Sequence, residues 1–196
     1  LSSSFKLNKD VFGFPIQWIP KNPRWQNYVD IWTQIPLLTF VKNTVKITVV
    51  VTLLQLFTSS FAAYAFAKMQ FKGKNVLFLG YIATIAVPWQ AYMVPQFMMM
   101  SSWHLNNTHL AIMCLQAFSA FGVFLMKQFY EGVPTELCEA ARIDGLSEYG
   151  IWWHIMLPLS LPALSTLTIF TFVNTWNDFL GPLIYLTKTE LKTIQI

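Results

Sequence analysis

Charge is scarce in this chain. Asp, Glu, Lys and Arg make up 11% of its 196 residues, where a soluble globular domain carries about 25%. Hydrophobic residues make up 55% and aromatic residues 16%, and the mean hydropathy is +0.46. That composition cannot cover a surface facing water, so the chain reads as an integral membrane protein. Cysteine is nearly absent as well. Cys114 and Cys138 have no metal-ligand spacing between them, so neither a disulfide framework nor a zinc site is supported. Both read as free thiols, Cys114 as a packing residue inside an apolar run. Eight dispersed glycines include no G-x-x-x-x-G-K-[ST] phosphate loop, so this chain does not hydrolyse ATP. The balance of +4 comes from scattered cations that form no basic face. Nucleic acid is therefore not a partner, and anionic lipid headgroups account for the excess. No cationic region precedes an apolar one at the start, so Leu1–Asp10 is not a signal peptide. Segments are expected to be missing at both ends.

What is present is a series of long apolar runs. Residues 1–42 mix Pro, Trp, Asn and charge, as in "FGFPIQWIPKNPRW". Proline at that density prevents a long helix, and Trp and Tyr favour the membrane–water interface. The segment reads as an extracytoplasmic, interfacial stretch with a short helix near "WQNYVDIW". The membrane domain then occupies residues 43–196. Ile47–Ala67 carries no charge and is as long as one crossing of the hydrocarbon, about 20 residues. Its run of Thr58, Ser59, Ser60, Ala62 and Ala63 suits close helix packing in lipid. "KMQFKGK" reads as a tight cationic turn around Gly73. Asn75–Met126 has no formal charge and room for two spans, divided by the turn-forming "SSWHLNNTH". The first of these two spans contains Pro88 and Pro95. A fourth span is expected over Pro158–Leu180. His104 and His109 read as loop histidines, since a metal site needs further ligands.

Orientation follows from cations. Lys68, Lys72, Lys74, Lys127 and Arg142 fall on one side; Lys6, Lys9, Lys21, Arg24, Lys42, Lys46, Lys188 and Lys192 fall on the other. The totals alone do not orient the chain. The short loops do: "KMQFKGK" has three lysines and "SSWHLNNTH" has no Lys or Arg, which places the first side in the cytoplasm.

On that side lies the most charged stretch of the chain, "ELCEAARIDG", Glu136–Gly145. It reads as a helix with Thr135 as N-cap, Glu136 in the favourable first turn, Glu139 paired with Arg142 and Gly145 as a left-handed stop. Leu137, Ala140, Ala141 and Asp144 share one face. Small alanines allow another surface to approach closely. Asp144 sits where the helix dipole disfavours it, so either a partner outside the helix or local backbone answers it. Trp152, Trp153, Ile155 and Met156 follow, spaced to lie along the interface before Pro158 opens the next span.

Glu139-Ala140-Ala141, Gly145, Ile155 and Leu157-Pro158 match every position of EAA-x3-G-x9-I-x-LP. The chain thus resembles the permeases of binding-protein-dependent ABC importers, which carry this EAA loop. "NYVDIW", "AAYAFAKMQFKGK" and "WNDFLGPL" are similar to the carbohydrate branch, the maltose-type (MalG-like) inner-membrane subunits. The resemblance implies an all-α, polytopic transmembrane domain of the type I importer class. Four spans are present here against the six usual in the family, the first and last being absent. It further implies that the loop at 131–158 docks into a cytoplasmic ATP-binding subunit through Glu139, Ala140, Ala141, Asp144 and Gly145. Ile155, Leu157 and Pro158 would join the loop to the next span. The implied partners are two ABC ATP-binding subunits, a second permease, an extracytoplasmic solute-binding protein, a sugar and membrane lipid. No cofactor is expected on this chain, and the implied location is a bacterial or archaeal plasma membrane.

Polar groups inside a membrane mark candidate pathways. Gln55, Asn174, Asn177 and Asp178 are such groups, and Tyr92 and Trp176 offer rings that stack on sugars. For Asn174–Asp178, helix capping and contact with the binding protein are equally open. Three further readings stay in view: an importer of a non-sugar solute, an enzyme acting on a lipid-linked substrate through the acidic Glu136–Glu148 stretch, and a secondary transporter. The last needs intramembrane ionisable groups, which these spans barely contain.

Overall fold

A computed structural model describes residues 2–7, 11, 12, 14, 18–20 and 22–196. Lys9 and Lys21 of the cation tally, Asn8 and Asp10, and Gly13, Pro15, Ile16 and Gln17 of the proline-bearing stretch, lie outside the described residues, as does Leu1. Among the described residues, every regular element is helical.

The short helix expected near "WQNYVDIW" is α1, Gln26–Gln34. Trp18, Trp25 and Trp32 all stand exposed, at 80%, 68% and 60%, which suits rings that lie in a headgroup layer. Pro36 then precedes α2, Leu37–Lys68. At 1.5 Å per residue its 32 residues reach about 48 Å, well beyond the hydrocarbon thickness of about 30 Å. The helix begins ahead of the apolar run, so Lys42 and Lys46 ride on its first turns, and it passes without a break through the boundary drawn at 42/43.

Gly73, with φ of +81°, starts α3, Lys74–Ala83, which confirms the tight turn. The span expected to follow is not one helix. A 3-10 turn, Thr84–Ala86, ends at Val87, whose backbone is extended. A residue before proline is driven out of the helical region, and Pro88 does that here. The chain resumes as α4, Met93–Ser102, with Pro95 in its first turn, where a missing N–H costs nothing. The next pass, α5 (His109–Gln116) and α6 (Ala120–Glu131), is long and apolar enough to cross a membrane, as α2 is. Thr108 and Ser119 cap the two helices, accepting from Ala111 N and Gly122 N.

The polar interval holds α7, Glu136–Ile143, and α8, Glu148–Ile151. A π-helical turn, Trp152–Met156, and the short α9, Leu157–Leu159, lead to α10, Leu161–Trp176. The run Glu148–Leu159 meets α10 at a bend of 79°. The fourth span expected over Pro158–Leu180 is thus represented by the 16-residue α10, entered through a sharp bend. The last helix is α11, Leu180–Tyr185.

Helix α2 is the central post, with α6 and α10 packed along it. The small residues act as expected: Ser59, Ser60 and Ala63 are fully buried. A Cβ on Gly122 of α6 would lie 2.4 Å from Ser59 Oγ. Toward the loop end, a core forms from Tyr64, Met126, Tyr130, Cys138, Ile151, Trp152, Met156 and Leu167. At the opposite end, Ile47, Val51, Met100, Ile112 and Tyr185 form a second. There Asn43 donates to the carbonyls of Glu190 and Lys192. Asn107 Oδ1 takes three donors from Thr187 and Lys188, so the "SSWHLNNTH" divider is bonded to the chain after α11.

Two further expectations are corrected. Cys114 is exposed and Cys138 is the buried thiol, because α5 turns Ala111, Ile112 and Met113 inward. Trp152 and Met156 do not lie along an interface; they are 5% and 0% exposed. The Trp152 ring meets Phe57 and Phe61 of α2 edge-on, and only Trp153 of the pair faces outward.

Candidate functional site

Two features offer chemistry: the charged loop and a cavity between the helices. In the loop, α7 ends in a Schellman motif. Gly145 N donates to Arg142 O and Leu146 N to Ala141 O, while Gly145 takes φ of +86°. The left-handed stop read from sequence is therefore present.

The other local assignments change. Thr135 sits at the N-cap but makes no side-chain cap bond. Its own backbone is helical, and its hydroxyl instead accepts from Lys68 Nζ at 3.4 Å. Lys68 also donates to the carbonyl of Val133. Arg142 does not pair with Glu139. Its Nε and Nη2 lie 2.7 and 3.2 Å from the two carboxylate oxygens of Glu148, a bidentate fork that outcompetes a single i, i+3 contact. The Tyr64 hydroxyl donates to Glu148 Oε2 at 2.5 Å. Arg142, and after it Tyr64, hold the Glu148 carboxyl below its usual range. Glu148 in turn raises the guanidinium of Arg142. Burial pushes the Cys138 thiol up.

These bonds give α7 two distinct faces. Cys138 and Ala141 point into the core, so Ala141 does not share the open face assigned to it from sequence. Glu136, Leu137, Glu139, Ala140, Ile143 and Asp144 point out. Ile143 is 86% exposed. The carboxylates of Glu136, Glu139 and Asp144 have no partner among the described residues. Ile155 and Leu157 pack against the loop-end core, and Pro158 is exposed on α9.

A cavity of about 470 Å³ lies higher in the bundle. Gln55, Tyr92, Asn174 and Asp178 line it, whereas Trp176 and Asn177 do not. Trp176 stacks on Phe172, and Asn177 caps its own helix by donating to Val173 O. The lining also includes Trp89, Gln96, Gln116, Thr171 and Thr175, which the sequence reading did not select. Gln116 was the findable one: like Gln55, it is a lone amide in an apolar run.

Much of the lining is joined by hydrogen bonds, in one network around Gln55 and Gln116 and in a separate Trp89–Gln96 pair. Gln55 Nε2 donates to Gln116 O at 2.7 Å, and Gln55 Oε1 accepts from Thr171 at 3.0 Å. Gln116 Nε2 donates to Asp178 Oδ2 at 2.7 Å. Asp178 Oδ1 also accepts from Gly181 N, at the start of α11. Trp89 donates to Gln96 at 2.8 Å. Amides, hydroxyls and aromatic rings around one open volume can bond hydroxyls and stack on apolar ring faces.

The family model described as "binding-protein-dependent transport system inner membrane component" matches residues 55–195. The arabinooligosaccharides transport system permease protein AraQ of Halalkalibacterium halodurans is 37% identical over 197 residues, covering 99% of this chain and 71% of that protein. The lactose transport system permease protein LacG of Rhizobium radiobacter is 36% identical over 172 residues, 88% of this chain and 63% of that one. The crystal structure of a bacterial ABC transporter involved in the import of the acidic polysaccharide alginate superposes with a TM-score of 0.87. It has 26% identity and covers 99% of this chain and 69% of that chain.

Proposed function

Because this chain belongs to the family of binding-protein-dependent transport system inner membrane components, matched over residues 55–195, we propose that it is a multi-pass permease subunit of an ATP-driven sugar importer in a bacterial plasma membrane. ATP is hydrolysed by separate ATP-binding subunits. A second permease completes the passage, and an extracytoplasmic solute-binding protein delivers the sugar. The observation that carries this reading is the free face of α7. Three unpaired carboxylates, an alanine and a large exposed isoleucine stand on a helix whose other face is bonded down. That is the form of a docking helix without its groove. Glu139, Ala140, Asp144 and Gly145 supply its contacts and its shape, while Ala141 supports it from within. Ile155, Leu157 and Pro158 connect it to α10.

The cavity is the substrate passage in this reading, with Gln55, Tyr92, Asn174 and Asp178 facing the sugar. Trp176 and Asn177 stay outside it and act on the helix end. Arabinooligosaccharides and lactose, named for two relatives, support a saccharide as cargo.

The test is co-purification of the full-length permease with its ATP-binding subunits. Glu139→Arg and Gly145→Trp each abolish retention of those subunits. Retention equal to wild type refutes docking through α7. Uptake of labelled arabinooligosaccharides and lactose by cells carrying the complete system then tests the cargo, and uptake of neither refutes these two sugars.

A further inference from the structure

Besides the core that α7 shares with α6, two routes lead from α7 toward the cavity. The first follows the chain through α8, the π turn Trp152–Met156 and α9 to α10. It contains a rewired hydrogen-bond ladder and a bend of 79° at Ser160. Both breaks interrupt the continuous hydrogen-bond ladder that a single straight helix would offer along this path.

The second route leaves the chain. Arg142, one residue inside the end of α7, forks onto Glu148. The same carboxylate takes the hydroxyl of Tyr64, which is 2% exposed in the last turns of α2. Lys68, one turn further on, holds Val133 and Thr135 at the entrance to α7. Both ends of the docking helix are thus tied to the end of α2. Helix α2 is unbroken, and about 14 Å back along it from Tyr64 Gln55 bonds Gln116 and Thr171 in the cavity wall.

We infer that displacement of α7 is transmitted to the cavity through α2, with Arg142, Glu148 and Tyr64 as the connecting residues, and not along the chain into α10. The inference rests on the importer reading above. Arg142, Glu148 and Tyr64 are positioning residues: none lines the cavity, and Arg142, though exposed on α7, spends its guanidinium on Glu148.

The experiment uses the full-length permease assembled with its partner permease and ATP-binding subunits in lipid nanodiscs. A Cys114→Ser, Asn174→Cys permease reports cavity access through its rate of reaction with a membrane-impermeant maleimide. Cys138 is fully buried and stays silent. With Tyr64 intact, adding ATP and vanadate changes that rate. Tyr64→Phe keeps the ring and its packing, keeps the ATP-binding subunits bound, and reduces the ATP-dependent change about tenfold, the factor carried by one hydrogen bond to a charged group. Glu148→Gln does the same. Tyr64→Phe adds nothing to Glu148→Gln in the double variant, because the Tyr64 hydroxyl acts only through the Glu148 side chain. Ser160→Gly, which loosens the joint before α10, leaves the change intact. A full ATP-dependent change in Tyr64→Phe overturns the inference, as does a change abolished by Ser160→Gly alone. If the parent permease shows no ATP-dependent change, the importer reading itself fails and the inference falls with it.

Discussion

Gly145 offers a substitution whose effect can be worked from one angle. Its φ is +86°, and a Cβ placed there would meet nothing within 4 Å. Gly145→Ala therefore adds no clash and loses no contact. It adds only the cost of holding an L-residue in the left-handed region, about 1–2 kcal/mol. The Schellman bonds from Gly145 N and Leu146 N fix that conformation, so the cost cannot be avoided without unravelling the end of α7.

A local reporter sits three residues away. Trypsin cleaves after Arg142, and the following residue, Ile143, is exposed. Cleavage still requires the end of α7 to open and the Arg142–Glu148 fork to part. Both requirements are the same in wild type and variant, so their ratio isolates the backbone term. When reclosing outpaces cleavage, the rate follows the population of the open form. A cost of 1–2 kcal/mol then means a rise of about 5–30-fold in cleavage at Arg142. Gly145→Asn raises it less, since Asn tolerates the left-handed region. The reasoning fails if Gly145→Ala leaves the rate unchanged, or if Asn and Ala behave alike.

The remaining expectations concern packing, pH and thiol chemistry. Gly122→Leu forces α6 off α2, because its Cβ alone would lie 2.4 Å from Ser59 Oγ and 3.3 Å from Leu167 Cδ1. Overpacking of this kind costs about 1–3 kcal/mol, read as a lowered Tm in detergent, and an unchanged Tm counts against the close contact. Glu148 has a folded pKa below its unfolded one, chiefly through Arg142. Its stabilisation is therefore complete above the ordinary carboxylate range and is lost as pH falls through the lowered folded value. The Tm difference between wild type and Glu148→Gln should stay constant from neutral pH down to that range and shrink below it; a difference that grows on acidification contradicts the assignment. A membrane-permeant maleimide should label Cys114 in the native protein and spare Cys138, whose thiol is buried and raised, until the protein is unfolded. Rapid native labelling of Cys138 would place the inner face of α7 in solvent.

Which of these features can be read in advance depends on how far away their causes lie. The α7 helix and its glycine stop were legible because every determinant falls within a dozen residues. The same local logic assigned Arg142 the wrong partner. Glu139 is nearer along the chain, but the left-handed turn at Gly145 sends α8 back beside α7 and brings in Glu148, which accepts two bonds where Glu139 offers one. Thr135 does not cap because its own backbone is helical, and its hydroxyl accepts from Lys68, the last residue of α2. The amphipathic reading of Trp152 and Met156 failed because periodicity finds a face without saying what covers it, and here α2 does. The broken second span was marked by Pro88, yet proline in a membrane helix permits both a kink and a break. The cavity was half legible. A lone amide in an apolar run is visible one residue at a time, so Gln55 stood out and Gln116 was there to be found by the same rule. Thr171 and Thr175 carried no such signal, because threonine in a membrane helix can bond its own backbone, as Thr168 does with Leu164. What separates them from Thr168 is only that they face Gln55 and Gln116 across the bundle. The residues that most define this site are those whose partners lie on another helix, and they converge on α2, which bonds the loop through Tyr64 and Lys68 and the cavity wall through Gln55.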